Sequence, residues 1–221
     1  MRIGPCKDRY ASSVLTWTRK EMDEMQRIEN QVWRQMLGAP RFTLVVALQG
    51  EIGASTMKCR DMKSKLKMVK HMKTTENRLL RAVAERMVRE GSGGLIKQVE
   101  EYMSAVGVSH EELTKMKKEK INLKVNDWEE RRWRTEVEER ETLEIYRAKS
   151  KIGEEGLYLN DSGSMTLFRC RTNTIKLNWR QRFQGGAVDC PVCESGAEET
   201  LRHFLKECRG LGGIIEIHGI R

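Results

Sequence analysis

The stretch from Thr56 to Lys73, TMKCRDMKSKLKMVKHMK, decides the fold class. Cys59, Met62, Leu66 and Val69 recur at steps of three and four, the spacing that aligns side chains along one face of an α-helix. Lys58, Arg60, Lys63, Lys65, Lys67, Lys70 and Lys73 take the other faces against Asp61 alone. The segment therefore predicts a basic amphipathic helix with a narrow apolar seam and a solvated cationic side. Toward the N-terminus, Thr18 with Glu21 forms a capping box, and Met22, Met25, Ile28, Val32, Trp33 and Met36 follow at helical spacing until Gly38-Ala39-Pro40 stops them. The short apolar run Leu44 to Leu48 reads equally as a buried helical turn or a strand.

Toward the C-terminus the same period continues. Leu79, Leu80, Val83 and Met87 carry a helix whose other faces hold Arg78, Arg81, Arg86 and Arg89, and Gly91-Ser92-Gly93-Gly94 follows as a linker. Leu95, Ile96, Val99, Tyr102, Met103 and Val106 give the next helix, and Ser109 with Glu112 opens another. Asn126 with Glu129 repeats the cap signature ahead of a long charged helix to about Ser150, striped by Trp128, Trp133, Val137, Leu143 and Tyr146. Glycines at 153 and 156 and Asp161-Ser162-Gly163 make a second break. The chain of 221 residues holds 3 prolines and only 6% aromatic side chains, a balance that suits thin helical stripes rather than a sheet sandwich. The fold class expected is all-α: a bundle-like N-terminal half, a charged helical connector and a small C-terminal module, with boundaries at 1–90, 91–151 and 152–221.

The net charge of +9 is concentrated. Residues 1–90 hold 19 basic and 10 acidic side chains, whereas 91–151 hold 13 of each and 152–221 hold 9 of each. Such an excess attracts polyanions, nucleic acid before anionic membrane, because neutralising phosphates releases condensed counterions. No apolar run approaches the ~20 residues of a membrane span, and the start, MRIGPCKDRY, has no apolar core with a cleavage site behind it. An intracellular setting, nuclear or cytoplasmic, with no membrane partner is the expectation, and there the cysteines stay reduced.

Three of the six cysteines cluster. Cys190, Cys193, His203 and Cys208 give C-x2-C-x9-H-x4-C, a zinc ligand spacing in which two cysteines on a tight turn face a second pair from a short helix over Glu198 to Leu205. Cys208 lies five residues beyond His203, well round a regular helix, so the helix must end or unwind first, which Gly210 would permit. Three thiolates and one imidazole leave no open position, so the ion would be structural Zn2+ supplying folding energy. The other reading is that the thiols pack as small apolar groups; a redox role fits poorly because no βαβ pattern surrounds the pair. Upstream, Arg169, Arg171, Lys176, Arg180 and Arg182 are interleaved with Phe168, Trp179 and Phe183, and no acidic residue lies between Ser162 and Val188. Cations with flat rings suit single-stranded nucleic acid; alternatively the rings are core and the cations line a solvated face. The paired carboxylates at 23–24, 100–101, 111–112 and 138–139 read as solvated helix faces.

These residues resemble the C-terminal region of non-LTR (LINE-type) retrotransposon reverse transcriptases. The family's C-x2-C, acidic residues and H-F/L-L-x-x-C are matched by Cys190-Pro191-Val192-Cys193, Glu198-Glu199 and His203-Phe204-Leu205-Lys206-Glu207-Cys208. Phe168 to Asn178 is similar to its arginine-threonine segment, and Leu143 to Lys149 to its tyrosine-lysine helix. Leu37-Gly38-Ala39-Pro40 and Leu48 to Gly53 resemble the helices that follow the polymerase palm, so the resemblance covers about 15–210. It implies a thumb-like basic region over 1–90, a gripping role on template RNA or target DNA, and the missing polymerase domains as a further partner. No Tyr or Phe followed by x-Asp-Asp occurs, so two-metal nucleotidyl transfer is not expected of this chain alone, which reads as a truncated or domesticated remnant. Lys58, Arg60, Lys63, Lys67 and Lys70 of the basic helix, with Arg169, Arg171, Lys176, Trp179, Arg180 and Arg182, are the expected RNA- or DNA-binding residues. The rival reading is a zinc-braced helical interaction module whose basic face meets an acidic partner, and a third is a fragment that does not fold stably without its neighbours.

Overall fold

A computed structural model describes residues 13–90, 94–153, 162–193 and 195–210. Eight α-helices are formed among them: α1 Arg19–Met36, α2 Val45–Ile52, α3 Met57–Thr74, α4 Arg78–Glu90, α5 Gly94–Val106, α6 His110–Lys115, α7 Lys118–Glu138 and α8 Ser162–Arg171. Short 3-10 turns over Glu141–Leu143, Ile145–Ala148 and Asn178–Gln184 connect or follow them, and no strand is formed among the described residues. The fold is all-α, and none of these helices is long and apolar enough to cross a membrane.

Two of the three indicated caps, Thr18 and Ser109, act as the sequence indicates. The Thr18 hydroxyl accepts from the Glu21 N–H while the Glu21 carboxylate accepts from the Thr18 N–H at 2.8 Å, closing the box on α1. Thr56 caps α3 through the Cys59 N–H, and Ser109 caps α6 through the Glu112 N–H. The third signature fails: Asn126 and Glu129 lie inside α7, which starts at Lys118 and ends at Glu138 instead of running to Ser150. Glu129 is buried because its Oε1 accepts from the Thr56 N–H, the Thr56 hydroxyl and Gln49 Nε2, at 2.6, 2.8 and 3.0 Å. It thus serves the start of α3, a helix 73 residues away in sequence.

Two apolar clusters are built around α3 and α7. In the first, Cys59, Met62, Leu66 and Val69 of α3 meet Val99, Tyr102 and Met103 of α5, Leu113 of α6, and Ile121 and Val125 of α7. In the second, Trp33 and Leu37 meet Val46, Ala47 and Leu48 of α2, Trp133 and Val137 of α7, Leu143, Tyr146 and Phe168. Residues from both sides of the expected boundary at 90 fill the first cluster, and α7 passes through both. The run Leu44 to Leu48 resolves as helix: α2 is apolar nearly all round, as an enclosed helix must be. Trp133 Nε1 donates to the Val46 carbonyl at 2.8 Å and the Tyr146 hydroxyl to that of Ala47 at 2.9 Å. These rings fit because position 50 has no side chain; a Cβ there would lie 2.8 Å from Trp133 Cζ2 and closer still to the Tyr146 oxygen.

The solvated cationic side expected of α3 is not formed. α1, α4, α5, α6 and α7 all pack against it. Lys65 is fully buried, its ammonium bonded to both oxygens of Asp61 at 2.8 and 2.6 Å and to Gln98 Oε1 at 2.7 Å, while the Tyr102 hydroxyl donates to Asp61 Oδ2 at 2.7 Å. Burial holds the Lys65 ammonium below its usual range, opposed by Asp61. Seven cations on one helix look like a surface only when the number of surrounding helices is unknown. Two members of the expected α1 stripe, Ile28 and Val32, face solvent, as do Leu79 and Val83 beside the arginines of α4, while Ala84 and Met87 pack inward. Ser162 and Gly163, expected in a break, open α8. Of the expected linker at 91–94 only Gly94 is described, and it opens α5; the glycine at 156 with Asp161 and the tail beyond Gly210 lie outside the described residues.

Candidate metal centre and the basic turn beside it

The Cys190–Cys193 turn is carried by a short hairpin. Cys190 N–H donates to Ala197 O at 2.8 Å and Glu199 N–H to Val188 O at 2.9 Å, with an antiparallel bridge between Asp189 and Glu198. Glu198 and Glu199 are therefore in the returning arm of the hairpin, not in the helix expected over 198–205. That helical segment begins at Leu201, where the Thr200 carbonyl accepts from Phe204 N–H at 2.8 Å and the Thr200 hydroxyl from His203 N–H at 3.1 Å. Leu201 is buried beneath the site and Phe204 half-buried, but Leu205 faces out.

From His203 to Glu207 the helix neither ends nor unwinds; it widens into one π turn. On a regular helix five residues turn about 500°, leaving Cys208 about 140° round from His203. A π turn closes over five residues and returns Cys208 to the His203 side. Gly210 does not supply the helix stop; a Cβ there would lie 2.8 Å from Val192 Cγ1 and from its carbonyl oxygen, so glycine lets the chain pass close over the cysteine turn.

All four ligand atoms lie within 4.8 Å of one another. Cys190 Sγ is 3.8 Å from Cys208 Sγ, and Cys193 Sγ is 3.3 Å from His203 Nε2. A tetrahedron with Zn–S of about 2.3 Å and Zn–N of about 2.0 Å has S···S edges of about 3.8 Å and S···N edges of about 3.5 Å, so these two edges are compatible with a zinc site. The sulfur separation is far too long for a disulfide, whose S–S bond is about 2.05 Å, and the three sulfurs and the imidazole nitrogen can all serve as ligands. Cys190, His203 and Cys208 are buried and Cys193 is half-buried. Hydrogen bonds from Ser195, first its hydroxyl at 3.0 Å and then its N–H, hold the Cys193 thiol down at about 6, with His203 and Cys190 adding to the effect, so the metal-binding thiolate form is favoured. Cys59, enclosed in the helical core beside Glu129, is pushed up to about 12 and is inert by comparison.

The expected nucleic-acid residues fall into two groups. On α3, Lys58 is exposed and stands over the Trp128 ring at 5.3 Å, whereas Arg60 pairs with Glu29, Lys63 reaches the Ser55 hydroxyl at 3.3 Å and Lys70 donates to the Met116 carbonyl. Lys67 is half-buried, and its ammonium is held below its usual range by burial and then by Lys63. In the second group, Arg169 Nε donates to the Gly38 carbonyl at 3.0 Å, Arg171 lies over Tyr146 at 5.4 Å, and Arg180 lies over Phe42 at 4.7 Å while donating to the Asn173 carbonyl. Lys176 is exposed. Arg182 pairs with Glu198 at the surface, and Asn178 N–H donates to Glu199 Oε2 at 2.6 Å, so the Asn178–Gln184 turn is fastened to the hairpin that carries Cys190 and Cys193. On that turn Trp179 and Phe183 meet edge to face, centroids 6.4 Å apart, and Phe183 is 79% exposed. Sequence reading had the aromatic members of this set but not their division: Phe168 is core, Trp179 half-buried and Phe183 presented. The anchoring role of Glu199 left no signal in spacing. No family model, curated protein or solved structure matches the chain.

Proposed function

We propose that the chain is a nucleic-acid-binding protein of the kind its resemblance implies, a non-catalytic part of a retrotransposon-type reverse transcriptase, with a zinc-braced C-terminal module that takes unpaired bases. One observation carries the reading: Phe183 stands almost wholly in solvent on the edge of Trp179, in a turn that contains Arg180 and Arg182 and no carboxylate. Leaving a phenyl ring in water forgoes the stabilisation of burying it, whereas a base stacked on it recovers that burial and flanking cations meet the phosphates. Zn2+ held by Cys190, Cys193, His203 and Cys208 would fix the hairpin to which this turn is tied, and would leave no coordination site for catalysis.

The binding is tested with the full chain by fluorescence polarisation against RNA, single-stranded DNA and duplex DNA over a salt series. Affinity for single strands that falls steeply with salt supports the reading. Indifference to every nucleic acid at low salt would favour the rival, an interaction module for an acidic partner, for which the exposed Leu79 and Val83 on the arginine-rich α4 are the specific observation.

A further inference from the structure

A cleft of about 540 Å³ opens between the last turn of α3 and one face of α4, lined by Lys73, Arg81, Glu85, Val88 and Arg89. Arg81, Glu85 and Arg89 stand four residues apart in succession, so they share that face. No hydrogen bond, ion pair or ring contact engages the side chains of these three among the described residues. Lys73 enters from the opposite wall with its ammonium 2.9 Å from His110 Nδ1, which the neutral imidazole can accept while leaving two N–H donors free. Arg60, Arg169 and Arg182, by contrast, are matched by Glu29, the Gly38 carbonyl and Glu198. Two unengaged guanidiniums and an ammonium thus line one cleft.

We propose that this cleft binds a phosphate group between Arg81, Arg89 and Lys73. Three cations and the Glu85 carboxylate leave +2, which matches a phosphate dianion of about −1.5 to −2 and exceeds what one carboxylate can neutralise. The planar guanidinium forks fit phosphate oxygens two at a time, and the cleft volume is within the ordinary range for small ligands. The phosphate can be free, as in a polyphosphate or phosphomonoester, or belong to a nucleic-acid backbone. Glu85 opposes either one, which gives the site a signature of sign. The cleft shares no residue with the zinc module and does not rest on the reading of Phe183.

Two probes separate the sources in the full chain: inorganic tripolyphosphate by titration calorimetry, and a 12-nucleotide single-stranded DNA without terminal phosphates by polarisation. Arg81→Gln and Arg89→Gln should each weaken binding about tenfold and Glu85→Gln should tighten it several-fold. All three positions are exposed, so melting temperatures should hold. These shifts with tripolyphosphate identify free phosphate as the ligand; the same shifts confined to the oligonucleotide identify a backbone diester. Absence of binding by both probes at low salt, or binding that all three substitutions leave unchanged, overturns the proposal. Phe183→Ala should leave tripolyphosphate affinity untouched, which keeps this test apart from that of the module.

Discussion

Cys208 donates its backbone N–H to the carbonyl oxygen of His203 across 2.7 Å, a step of five residues that brings the last thiol back beside the imidazole. The widened turn is the local solution to a spacing that a regular helix could not have used, and the metal reading depends on it.

Purified protein should contain one zinc per chain. Cys193→Ser and Cys208→Ser should each lower that content well below one, read by elemental analysis. A full complement of zinc in both variants would mean that the ion sits elsewhere.

In metal-free protein the alkylation rate of Cys193 should rise with a half-maximum near pH 6, because Ser195 stabilises its thiolate. A free thiol titrates near about 8.5. The depressed value adds to stability above that range, and the contribution is lost as the pH falls through about 6. Ser195→Ala should move the half-maximum upward, and Cys59, pushed up to about 12, should stay unreactive throughout.

Asp61→Asn should destabilise the chain by about 3–5 kcal/mol in urea melts, since it strands a buried ammonium. The double variant Asp61→Leu, Lys65→Met should recover part of the loss. If the double variant is no better than the single ones, the pair is not the source of the penalty.

Gly50→Ala should cost about 1–3 kcal/mol, because the added methyl runs into Trp133 and Tyr146. Thermal melts followed by tryptophan fluorescence would register it. Unchanged stability would mean that these rings have room to move.

Phe183→Ala should weaken single-stranded DNA binding by about 1–3 kcal/mol with no change in melting temperature. By contrast, Lys70→Gln should lower stability by about 0.5–1.5 kcal/mol through the bond to Met116 and leave the salt slope of binding as it was.

Helical period, two of the three capping signatures and the ligand spacing were legible because each is local: a few residues determine them. What surrounds a helix is not local. The cations of α3 gave no hint that Lys65 points at Asp61 under Tyr102, since a lysine four residues after an aspartate reads the same on an exposed helix. Glu129 was placed with the nearest plausible cap, Asn126, when its partners were Thr56 and Gln49. The π turn escaped for a related reason: it is chosen by where Cys208 must arrive rather than by the propensities of the residues between.

Helix α7 places Ile121 and Val125 in one core, Trp133 and Val137 in the other, and Glu129 between them against the start of α3. Its length therefore sets a phase. One residue inserted after Glu129 would turn everything beyond it by about 100° and advance it by about 1.5 Å, taking Trp133 Nε1 off the Val46 carbonyl while the first core stayed in place. Substitutions on the solvent side of α7 can accumulate freely, whereas insertions and deletions across 118–138 are forbidden by geometry. Among descendants of this sequence that still fold, that segment should drift in spelling but never in length.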